Sequence, residues 1–498
     1  MDEPAPVQVS ARVVCVVGTR PEAIKLIPVL RALRDCPFLE PFLLVTGQHR
    51  DMVRELMGKA GISINAELDL KPTGGEINSL VTQVIEGTDE VLAFLAREDP
   101  ESGLPFTAAV VVHGDTSSAM AGAIAAMGRQ VPVIHVEAGL RTRDWWQPWP
   151  EELNRQLVAR IAAMHFAPTQ VNLANLIREA VPEARIMVTG NTGIDALLWA
   201  AEQPMECDDP VVEELIASDE RLVVVTAHRR ESWGTGLDHI ADGVAAAARA
   251  TPEVHFLVPM HPNPTVRESL IPRLSDLDNV WLTEPLDYIP FAHLLRRAEI
   301  VVTDSGGIQE EAPAFDTPVL VCRAETERTE GLEAGTLRLV GTNPNVIRDA
   351  ITELLNDRLA YESMALAANP YGDGHAAQRI VAAMVNLLGK GDAPVSFGPG
   401  YDKDAVLEAA GYGSYGDSHS TLRPAGWSPP VAGRWWDQAE AASAAAADTE
   451  AWEATDAPPV TLHSPELLHA LDQLAAKQQR RLSRLGQRVM RATSLDRD

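Results

Sequence analysis

Cysteine is scarce in this sequence, and the spacing of its cysteines excludes two classes of protein. The four cysteines are scattered over 498 residues, at Cys15, Cys36, Cys207 and Cys322. A disulfide-stapled secreted domain and a cysteine-based metal site both need closer spacing. Cys15 and Cys322 lie inside apolar runs that are typical of buried strands, where a thiol is structural. We therefore predict a reducing, cytoplasmic compartment and no metal.

Long apolar runs and an excess of positive charge are also missing. No stretch approaches the about 20 apolar residues that span a bilayer, and the opening segment MDEPAPVQVSARVV lacks the pattern of a secretory signal. The chain carries 42 Lys and Arg against 70 Asp and Glu, a formal net charge of −28. Sequence-independent nucleic-acid binding needs a positive surface. We expect neither a nucleic-acid partner nor a membrane span.

Short β-branched runs alternate with helical patterns through the first part of the chain, beginning with ARVVCVV and GTRPEAIKLIPVLRALRD. Unbroken apolar strands separated by helices predict a parallel sheet that is covered on both faces. The polar stretch AEQPMECDDP separates two such units. We predict an α/β fold with two doubly wound Rossmann-like domains, at 1–200 and 201–390, and a ligand cleft between the carboxyl ends of their sheets.

The composition changes after about residue 390. Segments rich in Gly, Ser, Pro, Ala and acids predict a low-complexity, largely disordered tail at 391–498. A helix is predicted at 464–492, where leucines recur roughly along one face. A solvated tail with a marginal helix, a short coiled coil, and contact of its basic half with a membrane or partner stay open alternatives.

The first loop after a predicted strand is suited to an anion. Gly18 allows close approach of the backbone, Pro21 opens a helix, and Arg20 and Lys25 supply positive charge. A structural turn with solvated cations is the alternative. A G-x-G-x-x-G fingerprint is absent here, so we expect no dinucleotide cofactor.

A second anion site is predicted in the segment EIVVTDSGGIQEEA. Ser305 is placed as a helix N-cap, and Gly306 and Gly307 would present N–H groups to a diphosphate. Glu310 and Glu311 follow within reach of ribose hydroxyls. A plain helix start is the alternative interpretation.

Carboxylates and histidines follow several other predicted strands. Asp115 and Glu137 end neighbouring strand segments, and Glu151 opens a helix beside Glu152. Acids at neighbouring strand ends face one cleft, where they act as proton-transfer groups or as helix caps. Two histidines lie at equivalent strand ends of the second unit, which favours ligand contact: His228 and His261.

The motifs, taken in order, resemble those of the non-hydrolysing UDP-N-acetylglucosamine 2-epimerases of bacteria. The likeness covers about 12–388 and includes GTRPEAIKLIPV, TGQHRDM, VHGDTSSAMAGA, HVEAGLRT, PWPEELNRQL, TGNTGIDAL, AHRRESWG, TDSGGIQEEAP and NPYGDGHAAQRI. The resemblance implies a glycosyltransferase-B fold of two Rossmann-like domains. It also implies interconversion of UDP-N-acetylglucosamine and UDP-N-acetylmannosamine, by elimination of UDP to 2-acetamidoglucal and re-addition, without a cofactor. The product of such isomerases feeds cell surface polysaccharide biosynthesis.

The same resemblance implies roles for individual residues. The catalytic set would be Asp115, Glu137, Glu151 and His228. The substrate-binding set would be Arg20, Lys25, Arg155, His261, Phe291, Ser305, Gly306, Gly307 and Glu311.

Regulation and assembly are implied less directly. Family members bind a second nucleotide sugar as an allosteric activator, and the contributing Gln48, His49 and Glu231 are present. However, Asp51 stands where glutamine is common, and LKPTGGEIN lacks an expected arginine, so activation is left open. Members of the family are usually homodimers. The usual enzyme has no counterpart of the tail at 391–498, so the resemblance implies no partner for the tail.

Several alternatives stay open at this point. The closest is a 2-epimerase acting on a modified UDP-sugar such as a diacetamido-uronic acid. A hydrolysing epimerase, a glycosyltransferase of the same fold, and a nucleotide-sugar-binding regulator without catalysis are the others. The intact acids and His228 argue against the last.

Overall fold

The computed structural model describes residues 11–71, 74, 76–96 and 106–398. The predictions for 399–498, including the helix at 464–492, lie outside the described residues. None of the helices in the described part is long and apolar enough to cross a membrane.

The first sheet has seven parallel strands in the order β3-β2-β1-β4-β5-β6-β7. The strands are β1 (Ala11–Val17), β2 (Leu39–Val45), β3 (Ala66–Glu67), β4 (Phe106–His113), β5 (Val133–Val136), β6 (Met164–Ala167) and β7 (Ile186–Val188). The second sheet has six parallel strands in the order β10-β9-β8-β11-β12-β13. Its strands are β8 (Leu222–Thr226), β9 (His255–Pro259), β10 (Val280–Thr283), β11 (Ile300–Thr303), β12 (Val319–Val321) and β13 (Leu337–Leu339). The predicted pair of parallel-sheet α/β domains is confirmed.

The described α-helices connect these strands. In the first half they are α1 (Arg20–Arg34), α2 (Arg50–Lys59), α3 (Ile77–Ala96), α4 (Ser117–Gly128), α5 (Glu151–Ile161), α6 (Gln170–Arg178), α7 (Thr192–Glu202) and α8 (Pro210–Ala217). In the second half they are α9 (Thr235–Ala250), α10 (Pro264–Leu274), α11 (Tyr288–Arg297), α12 (Gly306–Glu311), α13 (Thr329–Ala334), α14 (Pro344–Asn356), α15 (Arg358–Ala365) and α16 (Ala376–Leu387). Described 3₁₀ helices span Glu183–Arg185, Arg230–Ser232 and Ala312–Phe315.

The strand order creates a switch point in each sheet. In the first, β1 lies between β2 and β4, and in the second, β8 lies between β9 and β11. Chains leave such neighbouring strands in opposite directions, which opens a crevice at their carboxyl ends. The loops after β1, β4, β8 and β11 therefore carry the candidate site.

The last described helix returns to the first domain. Ile380 and Met384 of α16 are buried in the same apolar cluster as Leu26 and Ile27 of α1. The carboxylate of Asp195 accepts a hydrogen bond from the Ala377 backbone N–H at 2.8 Å, which joins α7 to the start of α16. The predicted division near residue 200 falls within α7.

Candidate active site

The loop after β1 is held by a buried carboxylate. Glu22, 2 % exposed, accepts hydrogen bonds from the backbone N–H groups of Gly18 and Thr19 at 3.1 and 2.7 Å. The Thr19 hydroxyl donates to the same oxygen at 2.8 Å, and the Thr116 hydroxyl donates to the other oxygen at 2.6 Å. Burial raises the pKa of Glu22 to about 7, although these four hydrogen bonds lower it. Glu22 therefore ties the first loop to the loop after β4.

Gly18 has a packing role that the sequence did not reveal. A Cβ atom at Gly18 would lie 2.2 Å from Ser118 Oγ and 2.9 Å from Thr46 Oγ1, so no larger residue fits. Glycine is therefore required at this position by close contact with Ser118 and Thr46 of the protein itself, in addition to any contact with a ligand.

Arg20 lies at the start of α1 and reaches toward the other domain. Its backbone N–H donates to His49 Nδ1 at 3.3 Å. Its guanidinium Nη2 lies 3.8 Å from Oδ1 of Asp287, the residue at the N-cap position of α11, and Lys59 Nζ lies 3.4 Å from Asp287 Oδ2. Two cations of the first domain therefore meet one acid of the second at the rim of the crevice.

Lys25 forms the innermost ion pair of the site. Its ammonium group is hydrogen-bonded to Glu137, and His113 Nε2 lies 3.3 Å from the same carboxylate oxygen. Burial by itself raises the pKa of Glu137, but Lys25 and His113 outweigh it and bring the pKa down to about 2. Glu137 also has a left-handed backbone, with φ of 60°, which is uncommon outside glycine and often marks functional sites.

Asp115 lies two residues beyond β4 and pairs with Arg155 of α5. Asp115 Oδ2 accepts from Arg155 Nε at 2.9 Å and from Nη2 at 2.6 Å. The third guanidinium nitrogen donates to the fully buried Glu152 at 3.1 Å. Glu152 also accepts from the Thr142 and Arg143 backbone N–H groups. Burial raises the pKa of Glu152, but these hydrogen bonds hold it below its usual value.

A cavity of about 470 Å³ opens beside these groups. Glu151, the first residue of α5, lies in its wall near Asp115, and one Glu151 carboxylate oxygen is buried without a hydrogen-bond partner among the described residues. Such an orphaned acceptor is suited to a ligand hydroxyl or a transferred proton. The lining comprises Thr19, Gly47, Gln48, Leu70, Lys71, Glu76, Ile77, Leu80, Asp115, Thr116, Ser117, Pro150, Glu151 and Asn154.

In the second domain, Asp304 organises the loops after β8 and β11. It is fully buried and accepts hydrogen bonds from the His228 and Arg229 backbone N–H groups at 2.9–3.1 Å. The His228 ring stacks on His261, with centroids 5.5 Å apart and an interplanar angle of 14°. Burial lowers the pKa of His228, and His261 lowers it further against the opposing effect of Asp304. The two histidines predicted at strand ends thus lie together.

Ser305 occupies the predicted N-cap position of the short helix α12, but its side chain makes no capping hydrogen bond. Its backbone N–H donates instead to Thr303 Oγ1 at 2.9 Å. Gly306 and Gly307 form the first turn of α12, as predicted.

The two acids that end α12 differ in their surroundings. Glu310 accepts from Asn191 Nδ2 at 2.5 Å and from Arg328 Nε at 2.9 Å, so it is already engaged across the two domains. Glu311 lies near Lys25, and burial raises its pKa to about 7. Burial lowers the pKa of Lys25, but Glu137, Glu310 and Glu311 together raise it above its usual value.

The other predicted site residues lie in the surrounding elements. Phe291 is on α11, partly buried against the main apolar cluster. Gln48 lines the cavity and accepts from the Ser118 hydroxyl at 3.1 Å, whereas Glu231 belongs to the 3₁₀ helix after β8. Within the described residues, no three His, Cys, Asp or Glu side chains are grouped to hold a metal ion.

Sequence reasoning had assigned no role to four residues that shape the site: Glu22, His113, Asp304 and Arg328. A signal existed only for Glu22, because Thr-x-x-Glu at a helix start is a capping box. The roles of the other three are visible only in the structure, because each contacts a partner that lies 18 to 76 positions away in the sequence.

Comparison with known proteins places this arrangement in a family. A family model described as UDP-N-acetylglucosamine 2-epimerase matches residues 31–385. A Yersinia pestis protein named UDP-N-acetylglucosamine 2-epimerase is 43% identical over 380 residues, covering 75% of this chain and 98% of the relative. The chain belongs to the UDP-N-acetylglucosamine 2-epimerase family. The family resemblance seen in the motifs is thereby confirmed.

Solved structures of epimerases share the fold. A Neisseria meningitidis UDP-GlcNAc 2-epimerase bound to UDP-GlcNAc is 37% identical and superposes with a TM-score of 0.65, covering 75% of this chain and all of the neighbour (100%). The Methanocaldococcus jannaschii UDP-GlcNAc 2-epimerase in complex with UDP-GlcNAc and UDP is 29% identical, with a TM-score of 0.59, covering 75% of this chain and 99% of the neighbour. The glycosyltransferase-B type of architecture expected for this family is confirmed.

Proposed function

We propose that this epimerase interconverts UDP-N-acetylglucosamine and UDP-N-acetylmannosamine. The observation that carries the proposal is the meeting of acids and cations at the carboxyl ends of the first sheet, in a chain that matches its relatives along nearly their whole length. Asp115 is paired with Arg155, and Glu137 with Lys25. Inverting one sugar carbon requires groups that remove and return a proton, with cations to hold a departing diphosphate.

The chemistry avoids a direct deprotonation. The C2–H bond is not next to a carbonyl, so simple removal of the proton is prohibitive. A carboxylate instead takes the C2 proton while the C1–O bond breaks, and UDP leaves with the bonding electron pair. The C1=C2 double bond of 2-acetamidoglucal forms. A second group then protonates the opposite face of C2, and UDP adds back at C1.

The second domain supplies most of the nucleotide site. The backbone of Gly306 and Gly307, next to Ser305, presents N–H groups to the diphosphate, and Arg20 and Lys25 approach it from the first domain. His261 and Phe291 line the nucleotide pocket, and Glu311 receives ribose hydroxyls. The raised pKa of Glu311 agrees with a group that contacts hydroxyls in a buried place.

The first domain supplies the proton-transfer groups. Asp115, Glu137 and Glu151 are the acids, and His228 completes the catalytic set from across the crevice. Arg155 holds Asp115 in one orientation by contacts from two guanidinium nitrogens. The orphaned oxygen of Glu151 is available to the sugar.

Isotope exchange tests the reaction. Purified protein with UDP-N-acetylglucosamine in D₂O should incorporate deuterium at C2 and approach an equilibrium with the manno epimer. No deuterium at C2 and no manno product would refute the assignment. Free N-acetylmannosamine would select the hydrolysing reaction, and activity confined to a diacetamido-uronic sugar would select the modified substrate.

A second nucleotide sugar is proposed to act beside the first, through Gln48, His49 and Glu231. The position of Gln48 in the cavity wall with Asp115 and Glu151 supports this. A sigmoidal dependence of rate on UDP-N-acetylglucosamine is expected, and a hyperbolic one would contradict the second site.

We further propose a cytoplasmic homodimer. The four cysteines are unpaired thiols, in keeping with a reducing compartment. Helices α3, α4 and α5, which pack together on the first sheet, expose large apolar side chains at Phe94, Met127 and Leu157. Sedimentation equilibrium should give about twice the chain mass, and a monomer at micromolar concentration would contradict the dimer.

A further inference from the structure

Lys25 lies among carboxylates from both domains. Its ammonium group is bonded to Glu137 of the first domain and is close enough to Glu310 and Glu311 of the second for all three to influence its charge. Glu310 has its own cation, Arg328, at 2.9 Å. Glu137 depends chiefly on Lys25.

A conflict arises when the nucleotide binds. The proposed function requires Lys25 to contact a diphosphate that carries about two negative charges, whereas Lys25 is already paired with Glu137. Glu137 has the shorter side chain, and its carboxylate lies 3.3 Å from His113 Nε2 at the end of β4. Lysine has a flexible four-carbon side chain with its charge at the end. The mobile member of the pair is therefore Lys25.

We propose that Lys25 exchanges partners during the reaction, pairing with Glu137 in the empty site and with the diphosphate in the occupied site, so that Glu137 becomes free for proton transfer only when nucleotide is bound. This inference rests on the proposed function and adds to it a form of control by the substrate. In the empty enzyme Lys25 neutralises the Glu137 carboxylate, and binding of the substrate releases Glu137 from Lys25.

The exchange predicts a change in proton binding. Ionisable groups from five elements face Glu137: Lys25 of α1, His113 of β4, His135 of β5, Arg155 of α5 and Glu311 of α12. In the empty site, burial raises the pKa of Glu137 while Lys25 and His113 bring it to about 2. Loss of Lys25 and arrival of a diphosphate both favour the protonated acid. Nucleotide binding near pH 6 should therefore be accompanied by proton uptake at Glu137.

Calorimetric titration with UDP measures this uptake without any turnover. Binding heats at about pH 6, in buffers of different ionisation enthalpy, give the number of protons taken up per UDP. The wild type should take up more than Glu137→Gln, by up to about one proton. Proton exchange by UDP itself is common to both proteins and cancels in the difference.

Two lysine variants complete the design. Lys25→Met should also lose much of the uptake, because removal of Lys25 raises the pKa of Glu137 before UDP arrives. Lys59→Met removes a partly exposed cation at the rim, away from Glu137, and should match the wild type. If Glu137→Gln does not fold, the comparison of Lys25→Met with Lys59→Met tests the same difference.

The outcomes separate the two proposals. Equal proton uptake in the wild type, Glu137→Gln and Lys25→Met would overturn the exchange, since Lys25 would then hold Glu137 and the diphosphate at once. The C2 deuterium incorporation described above would stand in that case. A protein that neither binds UDP nor incorporates deuterium would overturn the proposed function together with the exchange.

Discussion

Arg155 shows how one side chain can set the direction of a neighbouring acid. It contacts Asp115 through two nitrogens and the buried Glu152 through the third. Lysine would keep the positive charge but would lose the planar guanidinium group that donates to both acids at once. We expect Arg155→Lys to lower kcat by about 100-fold, because a small misplacement of a reacting group is costly. UDP affinity should hardly change, because the guanidinium of Arg155 is engaged with Asp115 and Glu152 and is not among the groups proposed to hold the diphosphate.

Steady-state kinetics and UDP titration measure both quantities. Arg160→Lys is the matched control, because Arg160 is on the same helix and donates only to the Glu179 backbone carbonyl in the described structure. A normal kcat in Arg155→Lys would show that the planar guanidinium group of Arg155 has no role in orienting Asp115.

Thr116 is a second residue with two simultaneous contacts. Its hydroxyl donates to Glu22 at 2.6 Å and accepts from the Ala119 backbone N–H at 3.0 Å, which caps α4. Thr116→Val removes both bonds with little change of shape, and should lower the free energy of unfolding by about 2 kcal/mol. Thr116→Ser keeps the hydroxyl and should be close to the wild type. Urea unfolding compares them, and equal stability of the two variants would contradict the bridging role.

Three adjacent strands of the first sheet each carry a buried histidine. His113 of β4, His135 of β5 and His165 of β6 have pKa values lowered by burial to about 4, about 4 and about 3. The folded protein therefore holds them neutral, whereas the unfolded chain protonates each near 6.5. Their stabilising contribution is present above about pH 6.5 and is lost as the pH falls toward 4.

The pH dependence of unfolding tests this. Between pH 7.5 and 5.0, the wild type should lose about 2 kcal/mol more unfolding free energy than His165→Asn, which cannot take up that proton. Urea titrations at the two pH values give the difference. Parallel losses in both proteins would mean that His165 is already protonated in the folded state.

Prediction at the level of elements succeeded where the local pattern is long. The run ARVVCVV and the capped, periodic segment after it became β1 and α1 at nearly the expected positions. Strands β3, β6, β7 and β13 were not predicted, because each has only two to four residues and does not lie in a longer apolar run of the kind that surrounds β12. Their place in the sheets depends on pairing with distant strands.

At the scale of the whole molecule, Phe397, near the end of the described residues, packs against the first domain. Phe397 is buried beside Ala138 and Leu173, and its backbone N–H donates to the Val188 carbonyl at 2.9 Å. The guanidinium of Arg379 lies 5.4 Å from its ring centroid. The predicted tail, which starts at 391, therefore includes a residue, Phe397, that is packed against the first domain.

This packing separates two truncations. A chain stopped after residue 398 should keep its epimerase activity and stability, because the proposed site residues precede it. A chain stopped after 390 should lose about 3 kcal/mol of unfolding free energy, as should Phe397→Ala in the full chain. Thermal or urea unfolding measures this, and equal stability of the two truncated chains would contradict a structural role for Phe397. Lost activity in the folded 398-residue chain would show that the tail takes part in catalysis.

The sequence by itself determined the two parallel-sheet domains and their family. Apolar runs, helix starts and ordered motifs are local properties, because they depend only on residues that are close together in the sequence. The loops that carry Arg20, Asp115, His228 and Ser305 were predicted for the same reason. Their roles stay predictions.

Only the tertiary structure decided which charges meet. The contacts of Lys25 with Glu137, of Arg155 with Asp115, and of Phe397 with the first domain join positions 40 to more than 200 residues apart. Such pairs depend on strand order, on a left-handed turn at Glu137 and on the return of α16, none of which leaves a local pattern. Whether Glu137 is neutralised or free follows from that geometry, because the energy of a charge depends on what surrounds it.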